Sequence, residues 1–373
     1  MISAAIRRSM RLDSRIHMEA FTYQTQPARV IFGVGTVERL IEEADRLGRR
    51  RLLVLCTASQ VSLERRVLAG LGSRAVGAFT DAKRHTPAEV TERALAEVRA
   101  LNADGIVSVG GGSVIGLGKA LAFRTDLPQI VVPTTYAGSE MTPILHETRD
   151  GVKTTQRSSK VLPEVVIYDV DLTLSLSLTL SVLSAFDALA HAVESLYAPD
   201  GNPVVSMMAE EGVRVIARSL PHLMTNPQNA SVRSDLLFGA WLCACCLGTV
   251  TMGLHHEMCR VLGGLYDLPH AQIHAIVLPH VLEFNSRAAP TAMSRLSHAL
   301  NASDSVGRIL ELQRACSVPV ALRDIGMPRE GIERAVEQLM ANPCANPRSL
   351  GADAVTMLLE RAWAGSRIQR SAV

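Results

Sequence analysis

At 373 residues the chain is longer than one hydrophobic core commonly serves, and its 47% hydrophobic and 20% charged residues exclude an intrinsically disordered protein. A formal charge of +2 gives no reason to expect a nucleic-acid or anionic-membrane partner. No apolar run approaches the roughly 20 residues of a membrane-spanning helix, and the longest, Ala240 to Val250, reads as a buried core helix.

Residues 1–17 carry Arg7, Arg8, Arg11 and Arg15 against the single acid Asp13, and lack the apolar stretch of a secretory signal. They read as a disordered extension ahead of Met18, the alternative being a transit peptide. The rest is nearly neutral. Seven cysteines lack paired zinc-type spacing, and Cys243, Cys245 and Cys246 share one apolar segment, as buried thiols of a reducing, cytoplasmic setting would.

From Phe21 onward short apolar runs alternate with amphipathic segments. Residues 51–56 read as a buried strand, 63–71 as a helix and 75–79 as a second strand. Helical spacing follows from Pro87 to Ala100, with Thr86 as the expected N-cap and Pro87 at the first helical position. Further strands are expected over 105–109, 127–133 and 165–169. The alternation predicts an α/β domain with a doubly wound, mostly parallel sheet over 18–179. Beyond that, long helical periodicities take over (181–198, 204–220, 232–248), punctuated by Pro221, Pro227, Pro269, Pro290, Pro319 and Pro328. An all-helical domain over 180–373 is expected, with ligands in the cleft between the two.

Gly110, Gly111, Gly112 and Ser113 fall where a strand gives way to a helix. Without β-carbons their backbone N–H groups can approach a pyrophosphate, and the helix N-terminus favours its charge. This is not the GxGxxG fingerprint, and a tight turn with no ligand is the competing reading. Thr134, Thr135 and Ser139 follow the next strand, where a doubly wound sheet presents groups to a nucleotide. No acid follows the strand ending at Cys56, so weak discrimination between NADH and NADPH is expected.

Asp187 and His191 stand four residues apart, on one helix face. His255, His256, His270, His274 and His280 then place five of the eleven histidines within 26 residues. One carboxylate and three imidazoles suit a divalent metal acting as a Lewis acid; histidines bonded to one another and to helix ends are the alternative. Cys243, Trp241 and Trp363 read as packing residues.

Together these residues resemble the iron-containing alcohol dehydrogenase superfamily, from about residue 20 to the C-terminus, which implies the dehydroquinate synthase-like fold. The resemblance implies NADH or NADPH on Gly110 to Ser113, Thr134, Thr135, Ser139 and Lys153. It implies an Fe²⁺ or Zn²⁺ site formed by Asp187, His191, His256 and His270. The segments 134–143, 200–203, 207–212, 321–327, 342–343 and 346–348 resemble its maleylacetate reductase branch more specifically. That branch implies reduction of an alkene in a small dicarboxylate during aromatic-compound catabolism, in a cytoplasmic homodimer without nucleic-acid or membrane partners. Lys153 and His256 are then the expected catalytic residues, and His255 and Arg260 the expected carboxylate binders. Two departures matter. Position 260 is Arg where relatives more often carry His, and Asp187 is kept where many maleylacetate reductases lose it. A metal-dependent alcohol or aldehyde dehydrogenase is the alternative, and a lyase similar to dehydroquinate synthase or a non-enzymatic nucleotide binder the more distant ones.

Overall fold

The computed structural model describes residues 21–24 and 29–365, so the expectation for residues 1–17 lies outside the described residues. The amino-terminal part is a six-stranded sheet of β1 (Arg29–Gly33), β2 (Leu52–Leu55), β3 (Ala75–Phe79), β4 (Gly105–Gly110), β5 (Gln129–Pro133) and β8 (Val165–Asp169). Its order is β1-β8-β5-β4-β2-β3, and every neighbouring pair is parallel. Both faces are covered, as continuous apolar strands require: Val54 joins Val107, Ile130 and Ile167 on one side, while Leu53 and Leu55 join Ile106, Leu117 and Leu121 on the other. From β2 the chain runs one way to β3 and the other way to β4. A crevice therefore opens at the carboxyl ends of β2 and β4, the place where doubly wound sheets bind ligands.

Three features of this half differ from the sequence expectation. Strand β1 and an antiparallel hairpin of β6 (Ile144–Arg149) and β7 (Val152–Arg157) were not foreseen. The hairpin is hard to see because β7 is polar at nearly every position. The helix after β3 begins at Ala88 with Pro87 as its N-cap, and no side chain caps it. Thr86 sits at φ 46° with its carbonyl accepting from the Thr148 N–H at 3.2 Å, so its backbone is tied to the hairpin instead.

The helical half starts with α6 (Leu178–Ser195), α7 (Pro203–Thr225) and α8 (Ala230–Thr249), which pack on one another. They follow α1 (Leu40–Arg46), α2 (Val61–Leu71), α3 (Ala88–Ala100), α4 (Gly112–Thr125) and the single turn α5 (Val170–Thr173). Ser177, Asn202 and Asn229 cap the three long helices through their side chains. Pro221 lies inside α7 rather than ending it, and the helix runs on to Thr225. Next come α9 (Leu254–Tyr266) and α10 (His270–Asn285), then α11 (Pro290–Leu300), α12 (Ser305–Ala315), α13 (Gly331–Ala341) and α14 (Ala352–Ala364).

α8 spans twenty residues and is apolar enough to cross a membrane by length and composition, more than the run from Ala240 suggests. Its buried Arg233 argues for a core helix. The guanidinium donates to the Pro227 and Leu176 carbonyls and to the Ser181 hydroxyl, which fixes α8 against its neighbours.

Candidate active site

Strand β4 delivers Gly110 to the crevice at φ 155°, where a β-carbon would meet Val114 Cγ2 at 2.7 Å and Gln60 Oε1 at 3.0 Å. At Gly111 a β-carbon would meet Thr135 Cγ2 at 2.9 Å; at Gly112, the first residue of α4, it would meet nothing within 4 Å. Two of the three glycines are thus required by close packing, and the third leaves open space at a helix N-terminus. The Thr134 N–H donates to the Gly110 carbonyl at 3.1 Å, and Gln60 Nε2 to Thr134 Oγ1 at 3.3 Å. Thr135, Ser139 and Ser113 remain partly open. This open donor-rich cradle fits a dinucleotide phosphate. Thr57 follows β2 as expected, and the nearest acid the fold adds, Asp81 across an isolated bridge, is occupied by Arg93 and Lys83.

The loop after β5 joins the two halves. Gly138 (φ 78°) brings its backbone so close to α8 that a β-carbon would lie 2.8 Å from Ala244 Cβ. The Ala137 carbonyl lies 3.3 Å from His191 Nε2. Behind this loop Lys119, 1% exposed, donates to the carbonyls of Ser139 (2.5 Å), Thr142 (2.7 Å) and Ile144 (2.9 Å) and contacts Thr142 Oγ1. Burial pushes its pKa down to about 7, while the buried Glu140 carboxylate pulls the other way.

Across the loop, α6, α9 and α10 converge on a histidine cluster. His191 Nδ1 lies 2.8 Å from His256 Nε2; Asp187 Oδ1 lies 3.1 Å from His274 Nδ1 and 3.7 Å from His191 Nε2. His270 packs tilted against His274 at 4.4 Å between ring centroids. Among the described residues three sets of three potential ligand atoms are compact enough for one ion: His191–His256–His274, Asp187–His270–His274 and the fully buried His255–Cys259–His274. A tetrahedral ion with bonds near 2.1 Å would hold its ligand atoms about 3.4 Å apart, and the atoms of each set lie within 4.8 Å of one another.

Two further observations fit a cation. Asp187 is 3% exposed, yet its Oδ1 accepts no hydrogen bond despite the nearby imidazoles. Burial pushes its carboxyl up to about 7, and His256 pulls it back. Burial also drives His191 and His274 well below the usual imidazole range, so they sit as the neutral rings that a metal needs.

Of the expected ligands, Asp187, His191 and His256 come together directly, and His270 joins through His274. Sequence reading omitted His274 from the set, although its four-residue spacing from His270 on one helix was available as a signal. It also missed Glu194. This buried carboxylate accepts from the His255 N–H at 2.7 Å, the His256 N–H at 3.2 Å and His256 Nδ1 at 2.5 Å. It caps α9 from outside and fixes the His256 ring. Burial raises its pKa, but the His256 contacts win and hold it below the usual carboxylate range.

The expected carboxylate binders separate. His255 is 1% exposed, with Nε2 3.1 Å from His274 Nδ1 and 3.7 Å from Cys259 Sγ, so it backs the cluster and offers no face to the cleft. Arg260 is exposed and paired with Glu257 through Nε at 2.8 Å. Lys153, on β7, is half-buried, and burial together with Arg260 lowers its pKa. The described cysteines are free, and burial raises Cys243, Cys245 and Cys246, which leaves them protonated core thiols.

This combination of a parallel-sheet phosphate cradle facing a helical Asp–His cluster has a known counterpart. Residues 27–170 match the iron-containing alcohol dehydrogenase model, and residues 181–363 match the C-terminal model of the Fe-containing alcohol dehydrogenase family. The chain belongs to this family of oxidoreductases. It is 49% identical over 350 residues to a maleylacetate reductase of Burkholderia cepacia, which covers 94% of this chain and 99% of that one. It is 48% identical over 345 residues to the maleylacetate reductase of Sphingobium indicum (92% and 98% covered). Among solved structures, the maleylacetate reductase from Agrobacterium tumefaciens superposes with a TM-score of 0.91 at 44% identity, covering 94% of this chain and all of the other. An iron-containing alcohol dehydrogenase from Corynebacterium glutamicum gives 0.90 at 38% identity, covering 92% and 97%.

Proposed function

We propose that the chain is a maleylacetate reductase, converting maleylacetate, NADH or NADPH and a proton into 3-oxoadipate and the oxidised nucleotide. The observation that carries this reading is end-to-end likeness to proteins of that name, spanning both walls of the cleft. Gly110, Gly111, Gly112, Ser113, Thr134, Thr135 and Ser139 would hold the nucleotide, whose reduced nicotinamide supplies a hydride to the alkene carbon β to the ketone. Asp187, His191 and His256, with His274 and His270, would hold an Fe²⁺ or Zn²⁺, which supplies Lewis acidity toward the ketone oxygen.

The protein's own groups have separable tasks. The alternative to the metal is that Lys153 and His256 are themselves the groups that stabilise charge growing on the ketone oxygen. Glu194 holds His256 in one orientation, so that the ring need not reorganise during turnover. Arg260, with its guanidinium shared by Glu257, is an outer carboxylate contact. The same reading brings a cytoplasmic homodimer acting in aromatic-compound catabolism and little preference between the two nucleotides.

A metal-dependent alcohol or aldehyde dehydrogenase is the second reading, favoured by the buried Asp187, whose Oδ1 accepts no hydrogen bond. The test is nucleotide oxidation with fresh maleylacetate, repeated after chelation and metal return. Turnover that survives chelation supports reduction by protein groups alone. Turnover lost and restored with the metal keeps the substrate and assigns the Asp–His cluster to the reaction. No reduction of maleylacetate, with simple alcohols oxidised instead, overturns the proposal.

A further inference from the structure

The hairpin absent from the sequence reading carries a second group of cleft residues. In its register His146 pairs with Thr155 and Thr148 with Lys153, so these four side chains share one face. The opposite face is committed to the α/β half: Leu145 is buried in the cluster with Ala120 and Phe123, and Glu147 receives Arg124 at 2.8 Å. The His146 face is therefore the free one, and His146 is exposed on it.

Two turns converge beside this face. Pro87 bridges to Thr148, which places the preceding His85 (φ 62°) at the hairpin edge. His85 Nε2 in turn lies 3.5 Å from Asp267 Oδ1, in the turn that leads into His270. The surrounding protein first, then Lys153, Lys119, Arg260 and His85, disfavour the charged form of His146. The acids at this edge, Glu257 and Asp267, are each already paired with a base. Glu257 thus offsets Arg260, and Lys153 is the base on this face with no acid paired to it among the described residues.

From this placement we infer that His146, with Lys153 on the same hairpin face, forms the subsite for the substrate carboxylate remote from the Asp–His cluster. The inference rests on the proposed dicarboxylate chemistry and names the residues that select for it. His146 Nδ1 lies 2.9 Å from Thr155 Oγ1. With the threonine hydroxyl donating to Nδ1, the neutral ring presents Nε2–H to a carboxylate, while the Lys153 ammonium, shared with the ketone oxygen, supplies the charge.

The test uses the full chain with His146→Ala and His146→Gln, the glutamine keeping an N–H donor. With NADH and maleylacetate, His146→Ala should raise KM for maleylacetate about tenfold, with kcat within about threefold and KM for NADH unchanged. His146→Gln should recover most of the loss. Unchanged KM in both variants, or a rise confined to NADH, overturns the subsite. Should His146→Ala fail to fold, as judged by circular dichroism, the glutamine variant and Thr155→Val carry the comparison, with Thr155→Val expected to raise the same KM. Adipate and hexanoate as competitive ligands separate this inference from the functional reading. If the wild type does not reduce maleylacetate, the functional reading fails. The subsite then still requires that adipate bind more tightly than hexanoate and that His146→Ala erase the difference.

Discussion

The two walls of the cleft are built from opposite materials. The α/β wall is made of backbone and of side chains that are missing, since Gly110 and Gly111 leave no room for a β-carbon and Gly112 leaves open space at a helix N-terminus. The helical wall is made of crowded side chains, with five imidazoles and two carboxylates drawn from three helices. Each wall has a buried charge behind it: Lys119 behind the first, Glu194 behind the second. The difference teaches where each wall is fragile. A backbone cradle depends on what holds the loop in shape, and a side-chain cluster on what holds each ring in orientation.

The largest expected effect comes from the support of the α/β wall. Lys119→Met would leave the carbonyls of Ser139, Thr142 and Ile144 buried without their donor. Losing those charge-assisted bonds should cost about 3 kcal/mol of stability in urea unfolding. A loss below about 1 kcal/mol would show that water can replace the ammonium and that the loop holds its own shape.

The counterpart on the helical wall is Glu194→Gln. The amide keeps its size but loses the charge that holds His256 Nδ1 at 2.5 Å. Removing such an outer partner typically weakens metal affinity by about 10- to 100-fold, with the fold intact. Titration of the metal-stripped protein with Zn²⁺ reads this directly. Equal affinity in the variant would mean that His256 is oriented by α9 alone and that the symmetry between the walls is false.

The two walls also differed in how readable they were. Gly110 to Ser113 and the Thr134–Thr135 turn could be seen in the chain because a strand, a break and a helix follow one another locally. Asp187 and His191 could be seen because helical spacing alone puts them on one face. Glu194 and Lys119 carried no such signal: Glu194 meets His255 and His256 across more than sixty residues, and Lys119 gains its meaning from a loop that arrives later in the chain. Periodicity cannot report that a charge will be buried or what will neutralise it. His255 shows the same limit in reverse. It looked like a cleft residue beside His256, but successive helical positions point in different directions, and it faces the core. Thr86 failed as a cap because the hairpin, itself too polar to be recognised, claims its carbonyl.

The smallest effect is the sharpest test of the α/β wall. Gly112 opens α4, its backbone is not in the left-handed region, and a β-carbon there would touch no protein atom within 4 Å. Gly112→Ala should therefore leave stability unchanged or raise it slightly, since alanine loses less freedom than glycine on entering a helix. Any loss of function must then come from something other than the protein's own packing. If nucleotide phosphates rest on this helix end, KM for NADH should rise about tenfold while kcat holds, because the methyl occupies space that the ligand needs in both ground and transition states. If KM for NADH stays put while the melting temperature holds, Gly112 is a turn residue with no ligand over it. The phosphate would then have to sit deeper, between Gly111 and Thr135, where packing already forbids a side chain.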